Sequence, residues 1–129
     1  MRTTIFRLEN DVTTEVAERP DWEPFPEYDG KSLDLVSLVE LLAVSGAEIQ
    51  LVEIRAGGGF AMHSSPDVAF CQVVRGRGFL GLPDGTELSY EGPELYVFLP
   101  GTEHDWHAIT EDTLLSVCLV KQGSGIGAQ

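Results

Sequence analysis

The side chains best able to do chemistry in this sequence are three histidines, His63, His104 and His107, set in a strongly acidic chain. An imidazole titrates near neutral pH, moves protons, and ligates divalent metals through a neutral ring nitrogen. His63 follows an apolar run that ends in Gly57-Gly58-Gly59, and it precedes the turn-like Ser64-Ser65-Pro66-Asp67. A histidine held between two buried strands by such a segment can point its ring into a cavity. His104 follows Leu99-Pro100-Gly101 and opens a second apolar run, HDWHAI. Side chains alternate between the faces of a strand, so Trp106 shares the face of His104 while Asp105 and His107 share the opposite one. Trp106 then either walls a cavity or fills the core. His107 is expected to face solvent or to serve structure.

The elements that must position these residues read as strands. Leu33–Val44 and Ile49–Ala56 form a hairpin across Ser45-Gly46. Further turn signals follow at short intervals: Arg75-Gly76-Arg77-Gly78, Pro83-Asp84-Gly85, Glu91-Gly92-Pro93, Leu99-Pro100-Gly101 and Thr110-Glu111-Asp112. Between them lie FLGL, ELSY, ELYVFL, HDWHAI and LLSVCLV. Short apolar strands at this spacing predict an all-β antiparallel sandwich or barrel. Ahead of it, residues 1–30 form an extended arm, because the prolines of WEPFPEY forbid a helix. Its aromatic residues call for a surface to pack on, either the barrel or a neighbouring subunit. The barrel is expected to span residues 31–122, with a flexible glycine-rich tail at 123–129.

Composition narrows the function classes. The chain has 129 residues, 43% of them hydrophobic, enough for one domain with a buried core. Lys and Arg total 8 against 21 Asp and Glu, a formal net charge of -13. Such a surface repels phosphate backbones and anionic headgroups, so neither nucleic acid nor membrane is an expected partner. No signal peptide or apolar span is evident, which points to a cytoplasmic location. The two cysteines, Cys71 and Cys118, are far apart within apolar runs and read as reduced, buried thiols. The triple glycine is not a phosphate loop, since no Lys-Ser/Thr follows it. Ser64 and Ser65 lack a nucleophile elbow, which argues against a Ser-His hydrolase.

The histidine spacing resembles the cupin superfamily. Its first motif is G-x5-H-x-H-x3-E-x6-G, and Gly57, His63 and Gly76 fall on it, with Ser65 and Ala69 at the second histidine and the glutamate. Its second motif is G-x5-P-x-G-x2-H-x3-N. Gly101 and His104 fall on that one, Gly92 and Pro100 sit one place away, and Ala108 replaces the asparagine. The resemblance covers roughly Ile49 to Val120. It implies an antiparallel jelly-roll barrel, or double-stranded β-helix, and a homodimer paired through terminal strands.

In the cupin family, three histidines and a glutamate hold a divalent metal in the barrel mouth. Here the resemblance leaves His63 and His104 as ligands for Fe, Mn, Ni or Zn, with Cys71, Glu53, Glu103, Asp105 and His107 as candidate replacements for the rest. It implies a small-molecule-binding domain whose metal site is altered or lost. That domain is either an enzyme using His63 and His104 as general acid and base, or a non-catalytic ligand sensor. The alternative is a metal-dependent dioxygenase or isomerase with relocated ligands. Ser65, Cys71, Tyr96 and Trp106 are the expected pocket residues around the histidine pair. Phe60 and Met62 are expected to pack, and Arg75 and Arg77 to pair with surface carboxylates.

Overall fold

Apolar alternation resolves into strands throughout, and the described residues contain no helix. The structure is a computed structural model that describes residues 2–8, 10–18 and 22–121, so the expected tail at 123–129 lies outside the described residues. The strands are β1 (Arg2–Leu8), β2 (Val12–Glu18), β3 (Glu23–Pro24), β4 (Glu27–Tyr28), β5 (Lys31–Ser32), β6 (Asp34–Val44), β7 (Ala47–His63), β8 (Val68–Gly81), β9 (Glu87–Glu91), β10 (Glu94–Phe98) and β11 (His104–Val120).

One seven-stranded antiparallel sheet runs in the order β10-β8-β11-β7-β6-β3, with β9 beside β8. It wraps into a jelly-roll barrel. The β6–β7 hairpin turns at Ser45-Gly46, where Val44 pairs with Ala47. The turn at Pro83-Asp84-Gly85 is closed by the Gly85 N–H donating to the Leu82 carbonyl at 3.0 Å and the Thr86 N–H to Asp84 Oδ1 at 2.9 Å.

Two expected turns are not turns: Arg75–Gly78 lies inside β8 and Thr110–Asp112 inside β11, and the strand expected to end at the glycine triplet runs on through it as β7. Each long strand bends instead of reversing, at a residue with positive φ: Leu35 in β6 (55°), Gly57 in β7 (86°), Gly76 in β8 (118°) and Ala108 in β11 (49°). The ladders shift register close to these bends, as bulged barrel corners do. Where the β7–β11 ladder skips between Trp106 and Thr113, Asp112 Oδ1 accepts the Ala56 N–H at 2.8 Å, so a main-chain donor freed by the bend is satisfied. Gly76 is obligatory there: a Cβ would meet Thr113 Oγ1 at 2.4 Å. Residues from both halves of β7 and both halves of β11 line one cavity in the barrel interior.

That interior is filled by Val36, Val52, Ile54, Phe60, Val73, Leu80, Tyr90, Trp106, Ile109 and Leu115, among others. Buried Thr113 accepts or donates one hydrogen bond with Tyr90 Oη at 2.6 Å. Of the cysteines, Cys71 is buried and Cys118 only half-buried, and both are free thiols. The arm packs on its own barrel over residues 22–33: β3 pairs with β6, Phe25 N–H donates to the Val36 carbonyl, and the Phe25 and Tyr28 rings rest on Phe60. Ahead of it, β1 and β2 make a separate two-stranded sheet. No helix among the described residues is long and apolar enough to cross a membrane.

Candidate functional site

His63 is the last residue of β7 and His104 the first of β11, and the two are direct partners in the antiparallel ladder. The loops beyond them are tied together by the Gly101 N–H donating to the Ser65 carbonyl at 2.8 Å. Main-chain hydrogen bonds therefore fix the separation of the imidazoles, whose ring centroids lie 4.4 Å apart. His104 is stacked on Phe98, and His63 packs at 4.2 Å from Phe60 and 5.4 Å from Tyr28.

Each imidazole has its Nδ1 against a main-chain carbonyl two residues earlier, Ala61 for His63 at 2.8 Å and Thr102 for His104 at 3.3 Å. A carbonyl only accepts, so Nδ1 carries the hydrogen in both rings and Nε2 carries the lone pair. Burial holds both rings in this neutral form. Desolvation lowers the pKa of His63, and it lowers that of His104 to about 4, with the charge of a protonated His63 a further disincentive.

The pair opens onto a cavity of about 210 Å³. Its walls are mainly apolar, with Phe25, Tyr28, Phe60, Phe98, Trp106, Val52, Ala69, Leu115 and Val117 among the lining residues. Ala69 helps to create the space, because a longer side chain at that position would project into it.

Of the residues singled out from the sequence, His63, His104, Ser65, Cys71 and Trp106 are brought together on the cavity wall. Trp106 serves wall and core at once, being 2% exposed. Ser65 Oγ accepts the Asp67 N–H at 3.1 Å, leaving its own hydrogen to donate. Burial pushes the Cys71 thiol up to about 12, so it is an uncharged thiol rather than a thiolate. Tyr96 does not line the cavity. Its hydroxyl donates to Glu94 Oε2 at 2.9 Å, and burial first, then that carboxylate, raises it to about 12.

Of the candidate replacement ligands only Cys71 reaches the wall; Glu53, Glu103, Asp105 and His107 do not line it. Glu53 faces Arg55, and Asp105 faces His107 at 2.5 Å, with Glu87 at 3.0 Å on the other ring nitrogen of His107. Hydrogen bonding to Asp105 above all raises the His107 pKa, so this surface imidazole is charge-paired outside the cavity. Met62 is not on the wall either, while Phe60 is. Arg77 pairs with Glu91 at 2.9 Å.

Sequence reasoning missed Gln50, Asp67, Phe25 and Tyr28 as wall residues. Gln50 was accessible by parity, since it shares a strand face with Val52 and Ile54. Asp67 reaches the wall paired with Lys121, which also holds Glu48.

The donor set does not fit a resident divalent ion. No group of three or more His, Cys, Asp or Glu side chains among the described residues is placed to hold one. The two imidazoles alone fall short of the three or four donors such a site needs, and no Cys, Asp or Glu among the described residues is grouped with them to complete it.

Bent antiparallel strands around a histidine-bearing cavity define a jelly-roll barrel. Among solved structures the chain is similar to a cupin 2 conserved barrel domain protein from Rhodopseudomonas palustris, with 16% identity, 84% of this chain and 83% of that chain covered, and a TM-score of 0.68. It is also similar to a cupin 2 conserved barrel domain protein from Leptotrichia buccalis, at 25% identity, 74% and 44% coverage and a TM-score of 0.60. A third similar structure is the polyketide cyclase RemF from Streptomyces resistomycificus, at 16% identity, 70% and 68% coverage and a TM-score of 0.61. The chain has the cupin fold. No protein-family model and no curated protein sequence matches it.

Proposed function

We propose that this protein is a small-molecule-binding cupin that works through two neutral imidazoles rather than through a resident metal. One observation carries the reading: His63 and His104, each locked by its own main-chain carbonyl, present their rings to a mainly apolar cavity of about 210 Å³. An apolar pocket with a few convergent polar groups is the usual form of a small-ligand site. If the site is catalytic, the two imidazoles are its general acid-base groups, because each is held neutral by burial with its Nε2 lone pair free. The likeness to a polyketide cyclase is consistent with an organic substrate in such a space.

The same reading has the domain acting as a homodimer. Strands β1 and β2 pair Leu8 with Val12, Phe6 with Thr14 and Thr4 with Val16. Cross-strand partners share a face, so Phe6, Leu8, Val12 and Val16 line up, all more than half exposed at 68%, 77%, 66% and 56%. A second copy of the chain is the cover proposed for that face.

The test is a thermal-shift and NMR screen of small organic molecules against the protein and an Ala69→Leu variant, whose added side chain fills the cavity. Ligands that stabilise the first and not the second support the reading. Ligands indifferent to Ala69→Leu place binding elsewhere and overturn it.

A further inference from the structure

The hydrogen-bond roles on the cavity wall carry the reading one step further, to the kind of molecule it takes. Neutral imidazole has one donor and one acceptor nitrogen. Both donors here are spent, His63 on the Ala61 carbonyl and His104 on the Thr102 carbonyl. Neither Nε2 has a partner among the described residues, and no unpartnered side-chain nitrogen or oxygen among them is sealed from open space. His104 is only 4% exposed, so the space its Nε2 meets is the cavity. The histidine pair thus offers two lone pairs and no hydrogen.

Charge narrows the choice again. No Lys or Arg lines the cavity among the described residues, and its one carboxylate, Asp67, is held by Lys121 at 3.2 Å. Lys31, which stands near His63, directs its Nζ to the Met62 carbonyl instead. An anion entering this cavity would lose its hydration and meet no cation on the wall, in a chain of net charge -13. Size sets the remaining limit. An apolar cavity of ~150 Å³ accommodates benzene, and this one is about 210 Å³.

We infer that the cavity selects uncharged, hydroxyl-bearing molecules the size of one aromatic ring, phenols and enols among them, which donate O–H to Nε2 of His63 or His104, and that it rejects carboxylates of the same size. The inference rests on the small-molecule reading above. The aromatic wall of Phe25, Tyr28, Phe60, Phe98 and Trp106 takes the ring, and the two lone pairs take the hydroxyl hydrogen.

A matched probe series separates the two claims. Dissociation constants are measured at pH 7.5 for phenol, anisole, toluene and benzoate by ligand-detected NMR on the unmodified protein. Phenol is expected to bind roughly 3- to 10-fold tighter than anisole, the worth of one hydrogen bond, with toluene close to anisole and benzoate undetectable. In His63→Phe and His104→Phe, toluene binding is expected to persist while the advantage of phenol shrinks. Anisole equal to phenol, or benzoate equal to either, overturns the inference and leaves the small-molecule reading standing. Failure of all four probes, toluene included, overturns that reading and the inference with it. Where a histidine variant does not fold, the series on the unmodified protein decides alone.

Discussion

The imidazole of His104 lies flat on the ring of Phe98, with centroids 3.6 Å apart and planes 5° from parallel. Phe98 closes β10 and His104 opens β11, so the Leu99-Pro100-Gly101 turn folds the chain back until these two rings stack. The stack shields one face of the imidazole from water, part of the desolvation that holds it neutral.

Phe98→Leu should therefore loosen His104 in a measurable way. The ring loses its cover, and its pKa should rise from about 4 toward the ordinary 6.5. Stability should fall by about 1–2 kcal/mol, from lost area and lost stacking. An NMR titration of the His104 ring protons reads the first effect, and urea unfolding reads the second. An unchanged pKa would show that Phe98 plays no part in the desolvation.

Acid should destabilise the protein through the same residue. The folded-state pKa of His104 lies below its unfolded value, so between pH 6.5 and about 4 the unfolded chain binds more protons. Stability is then fully present above pH 6.5 and is lost as the pH falls toward 4. The shift corresponds to about 3 kcal/mol. His63, whose pKa is also lowered, adds in the same direction. Urea unfolding at pH 7.0, 5.5 and 4.5 should show the decline, and His104→Phe should flatten most of it.

The barrel corners should tolerate substitution very unevenly. Gly76→Ala places a Cβ 2.4 Å from Thr113 Oγ1 and 2.5 Å from Thr113 Cα at a φ of 118°. It should cost about 2–4 kcal/mol. Gly85→Ala, at a φ of 88° in an open turn with nothing within 4 Å, should cost only about 1 kcal/mol. Denaturant midpoints of the two variants test the contrast directly.

Removing residues 2–18 should convert the proposed homodimer to a monomer without unfolding the barrel, since β1 and β2 pair only with each other among the described strands. Light scattering after size exclusion, with circular dichroism as the check on folding, measures this. A truncated chain that stays dimeric places the interface elsewhere.

Metal content should stay well below one ion per chain after incubation with zinc, manganese, nickel or ferrous iron and desalting. The expectation follows from the wall's donor set, two imidazoles without a third protein ligand among the described residues. Elemental analysis of untagged protein checks it. Stoichiometric metal that disappears in both His63→Ala and His104→Ala would restore a metal-dependent mechanism.

Much of the fold and half of the site could be read from residue types and spacing. Alternation and the Ser45-Gly46 turn located the β6–β7 hairpin, and motif spacing with strand parity put His63, His104 and Trp106 on one wall. Continuity of the long strands was not legible, because glycine and left-handed residues serve bends and reversals alike. Gly76 and Pro83-Asp84-Gly85 look equivalent in one dimension, yet only the second reverses the chain. Tyr96 shares the strand face of Phe98 and pairs with Cys71. It still leaves the wall, because β10 is the edge of its sheet and exposed Glu94 draws the hydroxyl outward. Phe25 and Tyr28 could be expected to pack somewhere, but which surface received them depended on how the sheet closes.

The ladder pairing of His63 with His104 separates what this molecule can vary from what it must keep. The spacing of the imidazoles is written into main-chain hydrogen bonds between β7 and β11, so it survives almost any change of side chain nearby. The Phe25 and Tyr28 part of the rim comes from an arm joined to the main sheet by a two-residue strand, with another two-residue pairing inside it. Drift in that arm would reshape the rim of the cavity while the histidine pair stays fixed.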